Sequence, residues 1–119
     1  MKYNKLVRNK IPEIIEKTGK KCIVKAAADD EINTYLHKKF LEEVEELCNA
    51  TTKEDQIEEM ADILSVLREF CRINKLSFAD AVYKQISKDN EKGDFSKHII
   101  LIEVKELIEE ASNVGKRSR

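Results

Sequence analysis

Two apolar stripes at helical spacing, joined by a short polar turn, set what this chain can fold into. Between residues 30 and 48, Ile32, Tyr35, Leu36, Phe40, Val44 and Leu47 fall on one arc when the chain is wound at 3.6 residues per turn. The following segment repeats the pattern with Ile57, Met60, Ile63, Leu64, Val66, Leu67, Phe70 and Cys71 on one broad face. Between them, "NATTKED" turns the chain, with Thr52 placed to cap a helix that reaches about residue 72. Glu54 and Asp55 then lie in the first turn, where acidic side chains suit the helix dipole. So short a connection makes the two helices antiparallel neighbours.

The rest of the chain offers few breaks, since it holds one proline and three glycines. Pro12 suits the start of a short helix from 12 to about 17, and Gly19 supplies a left-handed exit. Ser77 caps a further long helix over about 78–91, closed by Gly93. "KCIVKAA", 21–27, reads as a short strand, and "HIILIEV", 98–104, as a strand that would pair with it, although "IEVKELIEEA" fits a helix equally well. The fold class expected is therefore all-α, an antiparallel helical bundle with room for a small two-stranded β element. At 119 residues the chain should form a single domain over 1–119, with 110–119 a frayed tail.

Charge excludes some partners. The 22 basic and 23 acidic side chains nearly cancel, so no bulk field draws the protein to a nucleic acid polymer or a membrane surface. No apolar run approaches the roughly 18 residues of a membrane span, and "MKYNKLVRNK" lacks the hydrophobic stretch of a secretion signal. Three cysteines, Cys22, Cys48 and Cys71, form no CxxC, and their odd number suits reduced thiols. A cytoplasmic location is expected.

The acidic residues carry the chemistry. Glu43 falls inside the apolar arc of the first long helix, as does Lys39; Glu46 lies near its edge, Glu42 just outside it, and Glu45 points to water. On the next helix Glu59 lies between the directions of Val66 and Phe70, with Asp62 at the margin, while Glu58 and Glu69 face out. Each helix thus offers two inward carboxylates three residues apart, one turn of helix between them. Two carboxylates about 5 Å apart repel by roughly 3 kcal/mol at an effective dielectric near 20, so something positive has to sit among the four. Lys39 or a raised pKa can neutralise one; a divalent cation answers all. Oxygen ligands alone suit Mg²⁺ or Mn²⁺ over zinc, since neither pair contains a cysteine or histidine. The Glu-x-x-His spacing of di-iron bundles and the EF-hand loop are both missing. Mg²⁺ completes its shell with water and substrate phosphates, which points to a polyphosphate substrate.

These residues also carry a resemblance. "EEVEE", 42–46, followed after twelve residues by "EMAD", 59–62, is similar to the EExxE and ExxD pair of the all-α nucleotide pyrophosphohydrolases, the MazG-like and phosphoribosyl-ATP pyrophosphohydrolase-like superfamily. "YNKLVRNKIPEII", 3–15, resembles the YNKLVRDKIPEII opening of one small subgroup, and "KDNEKGDFSKHIIL", 88–101, its KxxERGGFxxRIxL ending. The resemblance implies hydrolysis of a nucleoside triphosphate or related nucleotide between the α and β phosphates, giving a monophosphate and pyrophosphate. It assigns Glu43, Glu46, Glu59 and Asp62 to the metal. Glu42 would orient or deprotonate the attacking water, or support the metal's ligands. Lys39 would balance the acids or touch a phosphate.

Lys5, Arg8, Lys10, Lys84, Lys88 and Lys92 are the other candidate phosphate cations, of which Arg8, Lys88 and Lys92 are preferred for their place in the matched segments. The chain departs from the subgroup at Asn9, Lys92, Asp94 and His98, where Asp, Arg, Gly and Arg are usual, and these changes bear on substrate choice or activity. The family implies a homodimer or higher homo-oligomer. Nothing selects the aromatic that would stack on a base among Tyr3, Tyr35, Tyr83 and the phenylalanines. Two other readings stay open: a non-catalytic helical interaction module, with the acids in salt bridges, and a metal or nucleotide sensor that binds without turnover.

Overall fold

The computed structural model describes residues 3–107. Its regular structure is four helices: α1, Ile11–Glu16; α2, Ile32–Asn49; α3, Lys53–Ile73; and α4, Phe78–Lys92. The fold is all-α, with no strand among the described residues. The chain divides into two compact units, one through Tyr83 and one from Lys84, the boundary falling within α4.

Local chemistry explains the helix ends. Pro12 lies in the first turn of α1, where a missing N–H costs nothing, and Gly19 leaves the helix region at φ 91°. Thr52 caps α3, its hydroxyl accepting from the Asp55 N–H at 3.0 Å, and Ser77 does the same for the Asp80 N–H at 3.1 Å. Gly93 follows α4 at φ 88°.

Residues 50–52 are all that connects α2 to α3, and the two helices pack against each other. Their direction is fixed at the far end by a reciprocal amide pair. Asn33, at the start of α2, donates to Asn74 Oδ1 at 3.2 Å, and Asn74, which ends α3, donates back to Asn33 Oδ1 at 2.9 Å. The helices are therefore antiparallel.

The apolar arc of α2 turns inward as its spacing requires. Leu36 is fully buried, and Ile32, Tyr35, Phe40, Val44 and Leu47 are half-buried around it. On α3 only part of the broad face is covered: Ile63 and Val66 are half-buried, whereas Ile57, Met60, Leu64 and Leu67 remain between 37% and 65% exposed.

The small β element is not formed among the described residues. Residues 21–27 and 98–104 are both irregular, with Ile23 94% and Ile102 85% exposed. β-branched composition favours a strand only where a neighbouring strand is there to complete the ladder, and neither segment has one. The helical alternative over 102–111 also fails as far as residue 107, and the remainder, like the tail 110–119, lies outside the described residues. No helix among the described residues is long and apolar enough to cross a membrane.

Candidate active site

The site is built where the polar members of the two facing helices meet. Glu43 follows Phe40 and precedes Leu47 on the inward arc of α2, so packing carries its carboxylate into the interface, where it is only 3% exposed. Glu59 and Asp62, one turn apart on α3, are half-buried opposite it. Carboxylate oxygens of Glu43, Glu59 and Asp62 lie within 4.8 Å of one another, and those of Glu42, Glu43 and Glu46 form a second such group on α2. Glu43 is common to both. All four residues expected at a metal thus fall in one continuous acidic cluster, with Glu46 at its exposed end.

Cations reach part of this cluster. The Lys39 ammonium donates to Glu42 Oε1 at 2.8 Å and lies 3.1 Å from Glu43 Oε2, and Lys5 is 3.5 Å from Glu42 Oε2. Burial pulls the Lys39 ammonium down, but its hydrogen bonds to Glu42 and Glu43 outweigh that, and its pKa lies above the usual lysine value. Glu42 responds in the opposite sense: the Lys39 hydrogen bond, aided by the charge of Lys5, holds its carboxyl below the usual range. At the other end Arg8 Nη2 donates to Asp62 Oδ1 at 2.6 Å and to Ser65 Oγ at 3.2 Å. Arg8, expected to meet phosphate, is thus paired with an expected metal ligand.

Lys39 pairs with Glu43 Oε2 but leaves the other oxygen of that carboxylate unmatched. Glu43 Oε1 and Glu59 Oε1 are both buried without a partner so long as both groups are carboxylates. A proton held between them makes each the partner of the other. That hydrogen bond to Glu43, with burial and the charges of Glu46 and Glu43, pushes Glu59 up to about 7. A buried carboxylate must be protonated, paired or bound to a metal. Two orphaned oxygens, flanked by further hard oxygen donors and by no thiolate or imidazole, fit a divalent cation. With the ion present, the same carboxylates would be held ionised.

Lys88 and Lys92 belong to the second unit, where Lys92 borders a cleft of about 290 Å³ with Gly93, Ser96 and Lys97. Asp94 accepts from the Ser96 N–H at 3.0 Å and hydroxyl at 2.8 Å, which lowers its pKa. His98 takes φ 54°, and its N–H returns to the Phe95 carbonyl at 3.1 Å. Asn9 is exposed in the turn before α1.

Two contacts of the site, Lys5 with Glu42 and Arg8 with Ser65, were not expected from the sequence. Lys5 sits in the same opening segment as Arg8, with nothing in its neighbours to distinguish it as the cation that meets Glu42. Ser65 is one turn after Asp62 on the same side of α3, a helical relation that could have nominated it as a companion to that carboxylate.

A family model for phosphoribosyl-ATP pyrophosphohydrolase matches residues 6–90. Comparison with curated proteins and with solved structures finds no match.

Proposed function

Because this chain belongs to the phosphoribosyl-ATP pyrophosphohydrolase family, whose members hydrolyse phosphoric anhydrides, we propose that it cleaves a nucleoside triphosphate, or a nucleotide like phosphoribosyl-ATP, between the α and β phosphates. The products are a monophosphate and pyrophosphate, and the cofactor is Mg²⁺, with Mn²⁺ able to replace it. The observation that carries this reading is the pair of orphaned oxygens on Glu43 and Glu59 at the centre of the acidic cluster. Ion pairs account for Glu42 and Asp62, as an interaction module would require, but leave those two oxygens to a shared proton or a cation.

Glu43, Glu46, Glu59 and Asp62 would hold the ion. When bound, it supplies polarisation of phosphoryl oxygens and a lowered pKa for a coordinated water. Glu42, kept ionised by Lys39 and Lys5, orients the water that attacks phosphorus or supports the ligand Glu43 beside it. One water is consumed, its oxygen stays on one phosphoryl group, and the anhydride oxygen leaves with the other. Arg8 at the margin of the cluster is placed to exchange its bond to Asp62 for one to a phosphate oxygen. Lys88 and Lys92 are assigned to phosphate on the resemblance of their segment alone.

Assembly belongs to the same proposal. Ile57, Met60, Leu64 and Leu67 run along α3 at steps of three, four and three residues, the seam spacing of a helix that meets another helix. We assign a second copy of the chain to this seam. The family match crosses the boundary at Tyr83, which supports one domain over 1–119. Three free cysteines suit a reducing compartment, and we place the reaction in the cytoplasm.

The test is a pyrophosphate-release screen over standard and modified nucleoside triphosphates and phosphoribosyl-ATP, with and without Mg²⁺, beside Glu59→Gln. Release that needs both the ion and Glu59 is the expected result. A wild-type protein that binds Mg²⁺ and nucleotide yet releases nothing would be a sensor, and the proposal would fail.

A further inference from the structure

Outside the acidic cluster, yet touching it, the first unit has a groove of about 380 Å³, within the range of roughly 300–1,000 Å³ usual for small-molecule sites. One wall is the segment before α1, through Tyr3 and Lys5; the other is α2, through Tyr35, Lys38, Lys39 and Glu42. Three ammonium groups face one carboxylate there, so the groove favours an anion. It also carries two aromatic rings, Tyr3 67% exposed and Tyr35 half-buried, each with a lysine ammonium over one face. Lys5 Nζ is 5.7 Å from the Tyr3 ring centre, and Lys38 Nζ is 5.9 Å from that of Tyr35.

Along the α2 wall the two kinds of group follow one another, Tyr35 one turn before Lys39 and Lys39 one turn before Glu42. Lys39 and Glu42 belong at once to the groove and to the acidic cluster, since Lys39 bridges Glu42 and Glu43. Anionic ligand atoms at that end would meet both Lys39 and a cation held by the carboxylates. Tyr3 and Tyr35 offer flat, polarisable faces to the rest of the ligand, and a nucleobase is the flat group that a phosphate chain carries. Between Tyr3 and Lys5, Asn4 adopts φ 48°, a left-handed bend that asparagine tolerates better than most residues. The bend lets both neighbouring side chains line the groove.

We infer that this groove is the nucleoside subsite: the base lies against Tyr3 and Tyr35, and the phosphate chain runs past Lys38 and Lys5 to Lys39 and the acidic cluster. The inference rests on the proposed nucleotide pyrophosphohydrolase activity and adds the residues that recognise the base. It also separates Tyr3 and Tyr35 from Tyr83, which is exposed and is no part of this groove.

Calorimetric titration tests it. The probes are the α,β-methylene analogues of ATP, GTP, CTP and UTP, in which the bond to be broken is replaced, and inorganic tripolyphosphate, which has no base. Each is titrated with Mg²⁺ into the full chain and into Tyr3→Leu, Tyr35→Leu, Lys38→Gln and Tyr83→Leu, whose helicity is checked by circular dichroism. Tyr3→Leu changes an exposed side chain and leaves the fold intact. Each groove tyrosine variant should weaken the best-bound analogue about tenfold and leave tripolyphosphate within about twofold. Lys38→Gln should weaken both ligands, and Tyr83→Leu neither. Unchanged analogue affinity in both groove tyrosine variants overturns the subsite, even where Mg²⁺-dependent pyrophosphate release persists and the proposed activity stands. An equal loss of tripolyphosphate overturns it too, because phosphate would then fill the groove. If no analogue binds the unaltered protein the subsite is likewise rejected, and lack of pyrophosphate release then removes the proposed activity as well.

Discussion

The two faces of α3 invert the usual arrangement of a helix. The side that meets α2 carries Glu59 and Asp62 beside Ile63 and Val66, whereas Ile57, Met60, Leu64 and Leu67 stand exposed. A helix that turned these apolar groups to water and these carboxylates to a partner would gain little from burial and lose much to repulsion. The inversion becomes favourable when each face receives what it lacks: a cation on the acidic side, another apolar surface on the other. The faces differ in what they need, so they should respond separately to mutation.

The largest effect is expected from the acidic face. Glu59→Gln keeps the shape of the side chain, removes a negative charge and gives Glu43 Oε1 an amide donor. Pyrophosphate release should fall about a hundredfold or more as the metal loses a ligand. The metal-free protein should melt higher at neutral pH, because a repelling pair becomes a hydrogen-bonded one. Turnover and melting temperature measured on the same preparation check both. A variant that loses stability and activity together would mean that the carboxylate serves folding alone.

The exposed face gives the next effect. Leu64→Glu puts a charge in the middle of the 57–67 seam. Sedimentation should then find the chain as a monomer where the unaltered protein is an oligomer, since an unpaired charge in a desolvated interface costs several kcal/mol. Mg²⁺ binding by the separated chain should persist if the acidic site is complete within α2 and α3. Loss of the metal with the partner would join the two faces into one device.

How far this contrast could be read in advance differs along the chain. The arc through Leu36, Phe40, Val44 and Leu47 places Glu43 inside by counting alone, and its 3% exposure agrees. Thr52, Gly19 and Gly93 mark helix ends because their roles depend only on near neighbours. Arg8 and Asp62 are 54 residues apart, and the pairing of Lys5 with Glu42 also joins the opening segment to α2; no periodicity connects such groups. The strand expected at 21–27 failed for the same reason, since Ile23 and Val24 have strand character but a ladder is a property of two segments. Counting along α3 put all the apolar residues on one broad face, and only the position of α2 divides that face into a covered and an open part.

pH offers a subtler separation of the two faces. The Glu59 carboxyl rises from 4.5 to about 7 on folding, so the folded chain holds that proton more tightly than the unfolded chain does. The stability this provides is complete below about pH 4.5 and drains away as pH climbs through about 7. Without metal, the melting temperature should therefore decline across that window, and Glu59→Gln should flatten the decline. Mg²⁺ should restore stability on the alkaline side, where the carboxylates are free to bind it. Leu64→Glu should leave the shape of this profile alone. A metal-free profile that is level from pH 5 to 8 would remove the shared proton.

The smallest expected change acts on both faces at once. Thr52 caps the N-terminus of α3 through the Asp55 N–H, one turn before Gln56 and Ile57 and two turns before Glu59 and Met60. Thr52→Ala should cost about 1 kcal/mol of stability, read from chemical denaturation. Fraying at that end loosens the start of the apolar seam before it reaches Glu59, because an unwound first turn releases Ile57 while α2 still holds the residues beyond. Assembly should therefore weaken slightly and Mg²⁺ affinity hold. An equal loss of both would show that the first turn of α3 positions the carboxylates, and that the two faces share one point of weakness.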